Sequence, residues 1–134
     1  MKPVKTLLLA LAAAPCAAAN INATPVQSIE PKELCIAENL DVQQNFRDAM
    51  QKAIEARGYA VKFVPTKTDC PVTMTFNAVY AMSGGWRRVL KFSDFIVYRD
   101  AEVIGSVHFR FSRKPSGNGT VEEVIIKMVE ALLP

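Results

Sequence analysis

Three groups of residues in this 134-residue chain have types and spacing that could do chemistry: the cysteines at 16, 35 and 70, the pair Glu38-Asn39, and the cluster Arg87, Arg88 and Lys91 beside the lone Trp86. Cys16 directly follows an apolar run and precedes a polar stretch, which is where a bacterial lipoprotein carries its lipid-modified cysteine; Pro15 in front of it is unusual for such a cut. Cys35 and Cys70 then remain as an even pair, and in an oxidising compartment an even pair is a disulfide by default. Closing a loop of this length is worth about 4 kcal/mol on the chain-entropy account. Glu38 and Asn39 follow a short apolar strand, a position where α/β sheets often bind ligands, although an Asn-x-Asp turn ahead of a helix needs the same residue types for capping. Arg87 and Arg88 suit phosphorylated lipid headgroups or an acidic partner, and equally a solvated hairpin end. His108 is the single histidine, with no second ligand spaced for a metal. No nucleophile and base, carboxylate pair or phosphate loop can be named. We therefore expect no catalytic residue, no metal and no cofactor, and the chain reads as a non-enzyme.

What positions these groups begins with export. Lys2 and Lys5, the run Thr6-Leu-Leu-Leu-Ala-Leu-Ala-Ala-Ala14, and Ala17-Ala-Ala19 form a secretory signal, too short to span a bilayer. Cleavage after Ala19 frees a soluble chain from Asn20; cleavage before Cys16 leaves a lipid-anchored one. Both routes lead to the periplasm, soluble or held at a membrane by lipid on Cys16. About 115 residues remain, the size of one domain. The chain has 16 basic and 13 acidic residues, and removing Lys2 and Lys5 leaves 14 against 13. A near-neutral body lacks the basic footprint of a nucleic-acid partner.

Residues 20–32, with only scattered apolar side chains, read as a flexible tether, and 33–134 as a single α+β domain. Leu34-Cys-Ile-Ala37 reads as a buried strand. Asp41 and Gln44 have capping-box spacing ahead of a helix over 42–57 whose apolar stripe is Val42, Phe46, Ala49, Met50, Ala53 and Ile54. Gly58 stops it. A strand over 59–64 completes a β-α-β unit with parallel strands. From Cys70 the period becomes two, with Val72, Met74, Phe76, Ala78 and Tyr80 on one face. A strand over 87–99 should place Leu90, Phe92, Ile96 and Tyr98 together. Asp100-Ala101 makes a tight connection to a strand over 102–112, with Val103, Val107, Phe109 and Phe111 inward and Ile104, Ser106, His108 and Arg110 outward. After a loop over 114–119, a capping box at Thr120 and Glu123 opens a closing helix. The order β-α-β-β-β-β-α predicts a two-layer sandwich, with two helices on one face of a mostly antiparallel sheet.

The stretches Cys35-Ile-Ala-Glu38-Asn39, Cys70 leading into Val72-Thr-Met-Thr-Phe-Asn-Ala78, and Ser93-Asp-Phe-Ile-Val-Tyr-Arg-Asp-Ala-Glu-Val-Ile-Gly105 resemble the small proteobacterial lipoproteins of the Sbal type. The resemblance runs from about Leu34 to the C-terminus. It implies an envelope lipoprotein with the paired cysteines as a family feature, and it implies no activity. The sequence thus points to an exported envelope protein that binds or assists assembly, its partner an envelope protein or a lipid headgroup, with membrane attachment only through lipid on Cys16. The alternative is a periplasmic small-ligand binder with its site near Glu38-Asn39.

Overall fold

The alternation of apolar and polar residues along three long strands builds a sheet that needs a cover on one face, and two amphipathic helices supply it. The computed structural model describes residues 20–66, 70–83, 87–112 and 119–134; the expected signal with Cys16, the residue Trp86 and most of the loop before Thr120 lie outside these. The elements are β1 (Ile21–Thr24), β2 (Glu33–Ala37), α1 (Gln44–Ala56), β3 (Ala60–Val64), β4 (Val72–Ser83), β5 (Arg87–Arg99), β6 (Glu102–Arg110) and α2 (Val121–Leu132). They form one sheet of order β1-β6-β5-β4-β2-β3. β2 pairs in parallel with β3 and with β4, and every other pairing is antiparallel. The fold is α+β, as the pattern of the sequence predicts.

Phe46 on α1 sits at the centre of the core. Its ring stacks on Phe76 at 6.5 Å and meets Phe95 edge-on at 6.3 Å, the two geometries in which aromatic pairs attract most. From α2, Val124, Ile125, Met128, Val129 and Leu132 pack into the same core. Both helices begin and end largely as their residue types dictate. At α2 the Thr120 hydroxyl accepts from the Glu123 amide at 3.1 Å, and the Glu123 carboxylate accepts from the Thr120 amide at 2.9 Å, so two otherwise unpartnered donors are satisfied reciprocally. Gly58, at φ +94°, closes α1 with its amide on the Glu55 carbonyl. The N-terminus of α1 departs from expectation. Its cap is Gln43 rather than Asp41, with no side-chain cap bond, and in the turn ahead of it Asn39 Oδ1 accepts the Asp41 amide at 3.0 Å.

Residues 20–32 are not a tether. Ile21–Thr24 pairs with β6, Ile21 opposite Phe109. The chain then passes to the far side of the sheet to start β2, and Val26 and Ile29 along the way are 3% and 2% exposed. The backbone of this crossing is held at two points: Val26 N–H donates to the Leu132 carbonyl at 2.9 Å, and the Arg99 guanidinium donates to the Ser28 carbonyl at 3.3 Å. A four-residue strand followed by an irregular crossing has no periodicity to read, so its burial is invisible to pattern analysis. Gly105 makes room for it. A Cβ there would overlap the Val26 side chain and stand 3.0 Å from its amide nitrogen.

Two bulges correct the face assignments of β5 and β6. The pairing Val79↔Phe92 followed by Tyr80↔Leu90 leaves Lys91 as an extra residue. Leu90 therefore joins Ser93, Phe95 and Val97 on the helix side, while Phe92, Ile96 and Tyr98 occupy the open face. Likewise Val97↔Gly105 and Tyr98↔Val103 leave Ile104 as the extra residue, which moves Val103 outward to 59% exposure while Val107 and Phe109 stay buried. β6 ends at Arg110, and Phe111 is 38% exposed.

Candidate functional site

The disulfide is formed. Cys35 and Cys70 are joined with Cα atoms 6.2 Å apart, within the range a bridge needs. What allows it is the parallel pairing of β2 with β4, in which Cys35 lies opposite Thr73; an antiparallel neighbour would have begun at the other end of the sheet. The bridge lines an apolar recess with Pro31, Leu34, Val61, Pro71 and Val72, and it ties the start of β4 to the middle of β2.

Towards the opposite end of the sheet stand Arg87, Arg88 and Lys91 on the β4–β5 hairpin and, beside the middle of β4, Glu38 and Asn39. Arg88, near the start of β5, lies over the Tyr80 ring at 4.7 Å. With the Gln43 amide oriented so that its oxygen faces Arg88, that oxygen accepts hydrogen bonds from both terminal guanidinium nitrogens. This contact brings the β4–β5 hairpin to the N-terminus of α1. Burial pushes the Tyr80 hydroxyl above its ordinary range, and the Arg88 charge pulls it partly back. Together with Asn45, Phe46, Val121, Glu122 and Ile125, these residues line a cavity of about 330 Å³. The polar groups lining it are the Arg88 guanidinium, already bonded to Gln43, the Tyr80 phenol, the carboxamides of Gln43 and Asn45 and the Glu122 carboxylate, a mixed set of donors and acceptors.

The polar atoms of Glu38 and Asn39 are engaged within the fold. Arg47 binds Glu38 through two nitrogens, at 3.0 and 3.3 Å, and lies over the Phe63 ring at 3.6 Å. Asn39 Nδ2 donates to the Phe76 carbonyl at 2.8 Å. The pair clips the β2–α1 turn to β3, α1 and β4. Leu40, between Asn39 and Asp41, is left 94% exposed. Arg87 and Lys91 are exposed on the hairpin, with Met82 nearby at 60% exposure.

A second cluster lies on the open face of the sheet, where the strand register brings Asn77, Asp94 and His108 side by side. Asp94 is its hub, 2.7 Å from His108 Nδ1, 3.1 Å from the Arg110 guanidinium and 3.2 Å from Asn77 Nδ2. Burial alone would raise the Asp94 carboxyl, but the bonds from His108, Arg110 and Asn77 outweigh it and hold the group below the ordinary carboxylate range. His108 points outward as expected; its pairing with Asp94 was not anticipated, because the partner is fixed by register across two strands rather than by spacing along one. Among the described residues no group of three or more His, Cys, Asp or Glu could hold a metal ion, and no helix there is long and apolar enough to cross a membrane.

No protein-family model and no curated protein matches the chain. Solved structures do. A point variant of the PelC dodecamer from Paraburkholderia phytofirmans superposes with a TM-score of 0.54 at 12% identity, over 81% of this chain and 91% of that one. A second crystal form of the PelC dodecamer gives 0.52 at 13% identity, over 81% and 90%. The chain shares its fold with PelC. A minor lipoprotein from Acinetobacter baumannii aligns with a TM-score of 0.40 at 9% identity, over 77% of this chain and 88% of that one.

Proposed function

We propose that this chain is an exported accessory of the bacterial cell envelope that works by docking and assembly rather than by catalysis, held at a membrane by lipid on Cys16. The observation that carries the reading is the Cys35–Cys70 disulfide in a body preceded by a signal-like segment, a combination that belongs to an oxidising compartment. The shared fold with PelC, crystallised as a dodecamer, supports assembly as the mode of action. The resemblance of Cys35-Ile-Ala-Glu38-Asn39 and the Thr-rich strand after Cys70 to the Sbal-type lipoproteins supports the anchor. The test is the intact, non-reduced mass of the full chain expressed with its own signal in a Gram-negative host, together with its size by light scattering. A lipid adduct on Cys16, a mass two hydrogens below the reduced form, and a species larger than one chain are expected. An unprocessed, fully reduced monomer retained in the cytoplasm would overturn the reading.

A further inference from the structure

The direction of β1 decides which end of the molecule meets a membrane. β1 begins opposite the C-terminal end of β6, with Ile21 against Phe109 and Thr24 against Ser106. Asn20 accepts a hydrogen bond from the Arg110 amide at 3.1 Å, and the Phe111 amide donates to the Lys91 carbonyl at 2.8 Å. Asn20, Phe111 and Lys91 therefore stand at one level, and the β4–β5 hairpin rises beyond them with Met82 opposite Arg88. Only three residues separate Cys16 from Asn20, and a fully extended chain over those four steps reaches about 14 Å. A lipid on Cys16 would hold this end, and no other, against the bilayer.

The surface there has the composition such a position calls for. Leu40, Met82 and Phe111 are 94%, 60% and 38% exposed, and Arg87, Arg88 and Lys91 are exposed beside them. The carboxylates of the same end lie on the helix side: Glu38, paired with Arg47, Glu123, which caps α2, and the exposed Asp41 and Glu122. The far end is mixed: Glu30, Glu33, Asp100 and Glu102 are exposed there with Lys32, Lys62 and Arg99. At the hairpin end the basic side chains sit on the hairpin and the carboxylates on the helix side, so a negatively charged surface favours contact through the hairpin.

We propose that the hairpin end, with Leu40, Met82 and Phe111 set among Arg87, Arg88 and Lys91, is a membrane-facing surface that binds the headgroups of an anionic bilayer. The orientation argument rests on the anchored reading above; the exposed apolar and basic side chains do not. Trp86, the single tryptophan of the chain, lies between Ser83 and Arg87 in sequence and serves as a reporter. The full chain is mixed with vesicles of phosphatidylcholine alone or of phosphatidylcholine with phosphatidylglycerol, and both flotation and Trp86 emission are read. The expected result is a shift to shorter wavelength and quenching by brominated lipid that depend on phosphatidylglycerol. Both effects should be lost in R87E/K91E and in L40S/M82S, whose melting curves should match the parent because none of the four side chains is buried. A lipid-bearing chain that floats with both vesicle types while Trp86 emission stays unchanged would overturn the proposal and leave the anchor standing. A chain starting at Asn20 that floats only with phosphatidylglycerol would support the surface and remove the anchor. A chain starting at Asn20 that floats with neither would end both.

Discussion

The two ends of the sheet are built on opposite terms. At the end where β2 and β4 begin, the chain crosses beneath the core, Val26 and Ile29 are buried, and the disulfide ties two strands together. At the hairpin end the helices start, Arg88 clasps Gln43, and Leu40 and Met82 stand in solvent. Apolar side chains of similar size are therefore structural at one end and available at the other. A surface residue kept apolar without burial is informative where it clusters with others and with charge.

The largest test of that contrast is removal of the bridge. C35A/C70A should lower the unfolding free energy by about 4 kcal/mol in denaturant titration, whereas a loss under 1 kcal/mol would show the sealed end to be held without it. Ile29→Ala should cost about 3 kcal/mol, within the usual span for deleting a buried branched side chain; a value near zero would return 20–32 to the status of a tether. Gly105→Ala, which overpacks Val26, should cost about 2 kcal/mol by the same titration.

Between the two ends, Asp94 provides a test by pH. Its carboxyl is held below its ordinary value of 3.8 in the fold, so the unfolded chain takes up this proton first as pH falls. The stabilisation is fully present above about pH 4 and is lost as pH drops through the lower folded value. Asp94→Asn should be about 1 kcal/mol less stable at neutral pH, and the difference in Tm from the parent should narrow below pH 4. A gap that stays constant down to pH 2 would mean that Asp94 is not the paired hub described. Leu40→Ala should have the smallest effect, within about 0.5 kcal/mol of the parent, and a loss of 2 kcal/mol would place Leu40 in a core rather than in solvent.

Much of this architecture is legible along the chain because it depends on local periods and caps. The stripe of α1, its stop at Gly58, the box at Thr120 and Glu123, and the alternation of β4 from Val72 to Tyr80 all appear where the residue types place them. What escapes is non-local. An extra residue at Lys91 or Ile104 reverses the phase of the positions beyond it, so Phe92, Ile96 and Val103 face away from the helices although their spacing alone reads as core. The strand at 21–24 exists only because β6 offers it an edge. Glu38, Asn39, Arg87 and Arg88 are noticeable by type, but the structure engages Glu38 and Asn39 with Arg47 and Phe76 and joins Arg88 instead to Gln43 and Tyr80. Leu40, Met82 and Phe111 are not noticeable, because exposure of an apolar residue is a property of the finished surface.

The claim that one end of the molecule is sealed and the other meets a membrane is tested most directly by amide hydrogen exchange of the full chain, with and without vesicles containing phosphatidylglycerol. The account predicts added protection at 38–43, 80–91 and 110–112, with no change at 26–33 and 99–103. Protection confined to the disulfide end, or spread over the open face around Asp94, would contradict it.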